Sequence, residues 1–380
     1  MPLHISSNFD SGNIVCQDAT DPNDIRLEIS KDNNSDFYMW FHFRLTGAKD
    51  TACTLKIMNA GGAAYPKGWE GYQAVASTDR ETWVRVPSSY ADGVLTIEHT
   101  PAADSVWYAY FAPYSMERHA DLIARAQLDD RVRLDVLGET LDGQAMDLLT
   151  IGEPSSDKGG PDKQNFWAIA RQHPGESMAE WWMEGFLARL LDPADRAATA
   201  LLDRAVFHLV PNMNPDGSRR GHLRTNAAGA NLNREWSEPA MDRSPEVYLV
   251  RTRMQETGVD FCLDVHGDEA LPYNFLAGMM GIPSLSDRQK TLQEVFSGAL
   301  LTASPDFQTK YGYPDAKPGK GNMTLCSNWV AEKFGCLALT LEMPFKDNAD
   351  RPDATFGWSP ARTEAFGAAH LDAMLAVLEA

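Results

Sequence analysis

From about residue 116 onward, short apolar runs alternate with helical patterns, and no other feature of the chain narrows its fold as much. "RLDVLG" and "MDLLTI" read as a hairpin turning at Leu141-Asp142-Gly143. A polar turn, "SSDKGGPDKQ", leads into "NFWAIA". That run and "AVFHLVP", "FCLDVH" and "CLALTLE" are apolar and bounded by turn residues, as buried strands are. "MERHADLIARAQ", "SPEVYLVRTRMQETG", "DRQKTLQEVFSGALL" and "NMTLCSNWVAEKFG" read as helices. A last helix begins at Ser359-Pro360, a cap and first-turn pair, and carries Leu371, Met374, Leu375 and Leu378 on one face. Alternation of this kind predicts an α/β domain with a mixed, mostly parallel central sheet.

Residues before that point follow another rhythm. "DIRLEI", "FYMWFHFRL", "CTLKIMN", "TWVRV", "VLTIEH" and "VWYAYFA" are short alternating or aromatic runs. Turn signals separate them at Asn33-Asn34, Gly61-Gly62, Ser88-Ser89 and Asp92-Gly93. This spacing predicts a β-sandwich. A length of 380 residues also favours two cores over one. The expected division is a sandwich over 1–115 and an α/β domain over 116–380.

Composition excludes several partners. A formal charge of −19 repels phosphate, so no nucleic acid is expected. No apolar run reaches the roughly 18 residues of a membrane span. The start "MPLHISSNFD" lacks a basic stretch followed by an apolar one, so no signal peptide is expected. Five widely spaced cysteines form no C-x-x-C pair and fit a reduced, cytoplasmic chain. Nothing in the sequence indicates an oligomeric state. One departure from the acidic mean is the cluster Arg219, Arg220, Arg224 and Arg234, which reads either as a small-anion site or as a solvated loop.

Ligands of open α/β sheets bind outside the carboxyl ends of the strands. Here those ends carry His173 and Glu176 ("RQHPGE"), His266 ("FCLDVH") and Glu342 ("CLALTLE"). His173 and Glu176, three apart at a helix start, point to the same side. Pro174 has no N–H to lose in the turn between them, and Gly175 permits close backbone approach. Two imidazoles and a carboxylate suit zinc, and a catalytic zinc takes three protein ligands. His173, Glu176 and His266 make such a set, which leaves Glu342 as the candidate general base. "PNMNPDGSRRGHLRTNAAGANLNREW", residues 211–236, reads as a long loop whose Asn and Arg side chains suit binding a carboxylate and polarising a carbonyl.

"HPGE", "NPDG", "GHLRTNAAGANLNR", "DVHG" and "TLEMPF", taken in order, resemble the motifs of the zinc metallocarboxypeptidases, and more closely the bacterial type of their cytosolic carboxypeptidase-like subgroup. "NFDSGNI", "YMWFHFRL" and "YFAPYS" are similar to the sandwich domain of that subgroup. The resemblance implies a phosphorylase/hydrolase-like catalytic domain, one Zn2+ per chain on His173, Glu176 and His266, and Glu342 as the base that activates water. It implies that Arg224 polarises the scissile carbonyl and that Asn233 and Arg234 grip the terminal carboxylate of a peptide or protein tail. Asn231 stands where the family often has an acid bonded to the first zinc histidine. The mobile tyrosine of the pancreatic-type enzymes has two candidates, Tyr311 and Tyr313. A preference for C-terminal glutamate, seen in relatives, would need a basic pocket residue, with Lys317 and Lys320 as candidates. Two rival readings are a deacylase of small N-acyl amino acids on the same fold and an inactive module that binds acidic peptides. The "NLNR" pair and the sandwich argue against the first, and the complete set of ligands and base argues against the second.

Overall fold

The computed structural model describes residues 2–153 and 163–380. All but the last two residues of the polar turn read at 155–164 lie outside the described residues. The C-terminal half is built on a seven-stranded sheet in the order Val132–Glu139, Ala145–Ile151, Ala205–Val210, Gln164–Ala170, Phe261–Asp268, Leu337–Pro344, Phe275–Ala277. The four strands from Ala205–Val210 to Leu337–Pro344 run parallel, and the flanking pairings are antiparallel, so the sheet is mixed as expected. Every residue of Ala205–Val210, Phe261–Asp268 and Leu337–Pro344 is buried, which explains their unbroken apolar character.

Helices cover the sheet. Met178–Leu190 and Pro360–Glu379 approach so closely that a Cβ on Gly185 would lie 2.0 Å from the Glu364 carbonyl oxygen. The chain passes from Gln164–Ala170 to a parallel neighbour on one side, Ala205–Val210, and then to one on the other side, Phe261–Asp268. That reversal opens a crevice at the carboxyl end of Gln164–Ala170, where "HPGE" follows.

The N-terminal residues form two five-stranded sheets. One joins His4–Ser6, His42–Thr46, Ser105–Ala109, Val75–Ser77 and Val84–Arg85, all antiparallel. The other joins Val15–Asp18, Ile25–Glu28, Cys53–Ile57, Val94–His99 and Ser88–Ala91, with one parallel pair. Leu55, Ile57, Leu95 and Ile97 of one sheet and Phe43, Leu45, Val106 and Tyr108 of the other are buried.

Several local expectations need correction. Ser88-Ser89 is not a turn. It starts a strand that pairs with Val94–His99 through Asp92-Gly93, both at positive φ. "FYMWFHFRL" becomes a strand only at His42. The Ser359 hydroxyl does not cap its helix. The helix read from Asn322 begins at Cys326. Residues 211–236 include a short helix, Pro215–Arg220, capped by the Asn214 side chain. All five cysteines are unpaired. Among the described residues no helix is long and apolar enough to cross a membrane.

Candidate active site

The turn that carries His173 is held from below. Strand Gln164–Ala170 runs into Arg171, which adopts φ 61°, an uncommon conformation for a side-chain-bearing residue. The buried Arg171 guanidinium donates to the carbonyls of Pro174 (2.9 Å) and Tyr114 (2.8 Å) and pairs with Glu180. Glu180 also accepts from Asn212 at 3.0 Å and lies 2.8 Å from His119 Nδ1. Burial opposes a charge on His119, but its bonds to Asp147 and Glu180 outweigh this and raise its pKa to about 9. The Gly175 N–H donates to the Leu223 carbonyl at 2.9 Å, and a Cβ on Gly175 would sit 2.9 Å from that oxygen. The glycine is therefore required by the approach of the "GHLR" segment.

The same turn brings three ligand atoms together. Glu176 Oε1 lies 2.7 Å from His173 Nδ1, Glu176 Oε2 lies 2.8 Å from His266 Nδ1, and the two Nδ1 atoms are 3.2 Å apart. Each outer ring nitrogen has an acceptor: His173 Nε2 meets Asn231 Oδ1 at 3.0 Å, and His266 Nε2 meets Asp264 Oδ2 at 2.9 Å. Those acceptors assign the ring protons to Nε2. Both Nδ1 lone pairs then face each other and a carboxylate, an arrangement that calls for a cation at its centre. The two rings differ electrostatically: burial and then the Arg224 charge lower His173 to about 4. Burial opposes a charged His266, yet Asp264 and Glu176 raise its pKa well above the ordinary value. Burial also works against the Glu176 carboxylate, and the facing imidazoles more than reverse it, holding the group below the usual carboxylate range. The three residues form a buried group with metal-ligand geometry, so they fit zinc.

Glu342 pairs in register with His266 on the adjacent parallel strand. Burial raises its pKa well above the ordinary value. His266 opposes that shift, and the carboxylates of Glu176, Asp268 and Glu269 reinforce it. Its Oε2 has no hydrogen-bond partner among the described residues.

Arg224 is built into the site by the N-terminal domain. The buried carboxylate of Asp32 accepts the backbone N–H groups of Leu223, Arg224 and Thr225 at 2.7, 2.8 and 2.9 Å, and the Thr225 hydroxyl at 3.1 Å. The Arg224 guanidinium then lies over the rings of Phe37 and Tyr65, 5.6 and 5.4 Å from their centroids. It makes no hydrogen bond or ion pair among the described residues, so its donors remain available to an oxygen. Burial raises Tyr65 to about 12, so its hydroxyl stays protonated at neutral pH.

His173, Glu176, Glu342, Arg224 and Tyr65 line a cavity of about 440 Å³. Ser327, Asn328 and Thr340, all buried, line it too. Asn233 lies in the wall, with Nδ2 3.3 Å from His266 Nε2 and Oδ1 accepting the Cys326 N–H at 2.9 Å. Arg234 also lines it and donates to the Asn233 carbonyl at 2.6 Å. Of the two tyrosine candidates, Tyr313 reaches the cavity and donates to Asp268, whereas Tyr311 stacks on Tyr273 at 4.4 Å. Lys317 and Lys320 are exposed and line no part of it. The basic cluster divides in the same way. Arg220 pairs with Asp142 at 2.7 Å, and only Arg224 and Arg234 enter the cavity.

Sequence reading missed four contributors. Asp264 had a signal, since alternation along a strand puts it on the same face as His266. Asp32 and Tyr65 had none, because they meet Arg224 and its segment only through the packing of distant residues, and Glu269, three residues past His266, is one acid directly beside another.

The fold and the cavity define a metallopeptidase, and comparison agrees. Residues 117–362 match the zinc carboxypeptidase family and residues 5–111 the cytosolic carboxypeptidase N-terminal domain. The chain belongs to the zinc carboxypeptidase family and is a peptidase of that type. A metallo-carboxypeptidase from Burkholderia cenocepacia is 50% identical and superposes with a TM-score of 0.96 over 100% of this chain and 99% of its own. A metallo-carboxypeptidase from Pseudomonas aeruginosa, solved with (2-guanidinoethylmercapto)succinic acid, is 45% identical, with a TM-score of 0.95 over 99% of both chains. Cytosolic carboxypeptidase 6 of Caenorhabditis elegans is 26% identical over 378 residues, covering 90% of this chain and 79% of that protein.

Proposed function

We propose that the chain hydrolyses the C-terminal peptide bond of peptides or protein tails, with one zinc held by His173, Glu176 and His266. The convergence of those three buried side chains, two of which line the cavity, carries the reading. Zinc so held supplies Lewis-acid chemistry at neutral pH. Glu342 takes the proton of the attacking water and returns it to the leaving amine. Arg224, whose guanidinium makes no hydrogen bond with the described residues, stabilises the negative charge that develops on the carbonyl oxygen. Arg234, with Asn233 beside it, binds the terminal carboxylate. We take the catalytic domain to begin at residue 116 and the compartment to be the cytoplasm, as the names of the cytosolic relatives favour.

A preference for a C-terminal glutamate is the finer part of the proposal. Lys317 and Lys320 do not support it. It would need a basic contact beyond Arg224 and Arg234, which serve the carbonyl and the terminal carboxylate. A peptide panel varied at the C-terminal residue, branched glutamates included, tests it by mass spectrometry. Glutamate released more slowly than neutral residues would refute it. In the same panel, amidating the C-terminus should weaken binding by about 1.5–3 kcal/mol, the contribution of a charge-assisted hydrogen bond. Arg234→Ala should no longer tell acid from amide. Equal cleavage of both by the wild type would refute the role of Arg234.

Asn231 is proposed as the outer partner of His173. Losing such a partner costs about 10–100-fold in metal affinity or activity. Asn231→Leu should therefore weaken zinc binding in a chelator competition, and Asn231→Asp should tighten it by making the ring a stronger donor. Unchanged zinc affinity in Asn231→Leu would reject the role.

A further inference from the structure

Gln172 stands between Arg171 and His173, is fully buried, and has no part in the reaction proposed above. Its side-chain amide makes two bonds of opposite sense. Nε2 donates to Asp264 Oδ2 at 2.7 Å, and Oε1 accepts the indole N–H of Trp236 at 2.8 Å. An indole only donates and an ionised carboxylate only accepts, so these partners fix which end of the amide is which. The Gln172 main-chain carbonyl accepts from the Asn214 amide at 3.0 Å, which holds the backbone from which the side chain extends.

Each bond leads to a different part of the site. Asp264 Oδ2 is the oxygen that also faces His266 Nε2 at 2.9 Å, whereas Oδ1 is buried without a partner among the described residues. One oxygen therefore carries both contacts, and Gln172 holds it in place against the ring. The Gln172 nitrogen itself stands 3.4 Å from His266 Nε2, where two donors meet and no bond forms. Trp236, also fully buried, follows Arg234 by two residues. Its indole bond anchors the end of the turn Leu232–Arg234, which presents Asn233 and Arg234. The line Trp236–Gln172–Asp264–His266 thus joins the turn assigned to the substrate carboxylate to an imidazole assigned to zinc, and every residue in it is buried. Breaking it in the middle leaves an indole N–H and a carboxylate short of a partner, with no solvent to replace the amide.

We propose that Gln172 is a positioning residue shared by the metal and the terminal carboxylate: it holds Asp264 against His266 and, through Trp236, the turn that carries Asn233 and Arg234. The inference rests on the carboxypeptidase reading. It sets Gln172 apart from Asn231, which faces a metal ligand only, and from Arg234, which faces the substrate only.

Gln172→Met, close in size but without the amide, tests it in three measurements. These are zinc affinity by chelator competition, visible absorption of the cobalt-substituted protein, and cleavage of a peptide acid against its C-terminal amide. Zinc affinity should fall by about 10–100-fold, as when a ligating histidine loses its outer support. The cobalt absorption should shift, because the ring it reports is no longer held. The preference for acid over amide should fall by about tenfold, through KM rather than kcat. Trp236→Phe separates the two ends: it should reduce the acid preference and leave zinc affinity and the cobalt spectrum as in the wild type. Unchanged zinc affinity or an unchanged acid preference in folded Gln172→Met overturns the inference and leaves the carboxypeptidase reading intact. If Gln172→Met does not fold, Trp236→Phe decides alone, and an unchanged acid preference there overturns it. A wild type that binds no zinc, or cleaves no peptide, removes both readings.

Discussion

Glu342→Gln is expected to keep its zinc and its fold and to lose about 10²–10⁴ in turnover, the usual cost of removing a general base. Glutamine preserves the shape of a side chain that sits in register with His266 inside a fully buried strand, so packing is not disturbed. It cannot accept the proton of the attacking water. Single-turnover release of a C-terminal residue, measured beside zinc content, checks the expectation. Turnover at the wild-type rate would mean that the base lies elsewhere among the cavity carboxylates.

Arg224→Ala should cost about 10²–10³ in kcat, as loss of one preorganised oxyanion donor typically does. The structure adds a sharper expectation. The backbone beside Arg224 is fixed by Asp32 through three consecutive N–H groups, so Asp32 acts through Arg224. Asp32→Ala should lower kcat with little change in zinc affinity, and the double variant should be no slower than Arg224→Ala alone. Additive losses would show that Asp32 supports the fold rather than the arginine.

Legibility in the sequence followed the range of the interactions. The buried strands Phe261–Asp268 and Leu337–Pro344 announced themselves as unbroken apolar runs, and the polar residues at their ends, His266 and Glu342, stood out against that background. His173 and Glu176 were legible because the turn between them is local: Pro174 and Gly175 are punctuation that a linear reading detects. The loop over 211–236 was legible as functional but not in its shape. Its conformation is imposed from outside, by Asp32 and by Asn13, which donates to the Gly221 carbonyl at 2.9 Å. The basic pocket residue was sought at Lys317 and Lys320 because they lie upstream of Glu342. Sequence proximity says nothing about which side chains a surface loop turns inward, and both remain in solvent. Glu269 was invisible for the opposite reason. Read in "HGDE" it is one acid among many in a chain of net charge −19, and its place in the cavity lining is what distinguishes it.

If His173, Glu176 and His266 hold the one zinc on which peptide release depends, metal content and release must rise and fall together. Elemental analysis of protein purified without added metal, run beside C-terminal release on the same samples, tests it most directly. Expected are one zinc per chain, loss of release when a chelator removes it, recovery with a single equivalent of zinc, and neither zinc nor release in His173→Ala. Full zinc occupancy in His173→Ala, or undiminished release from the chelated wild type, would contradict it.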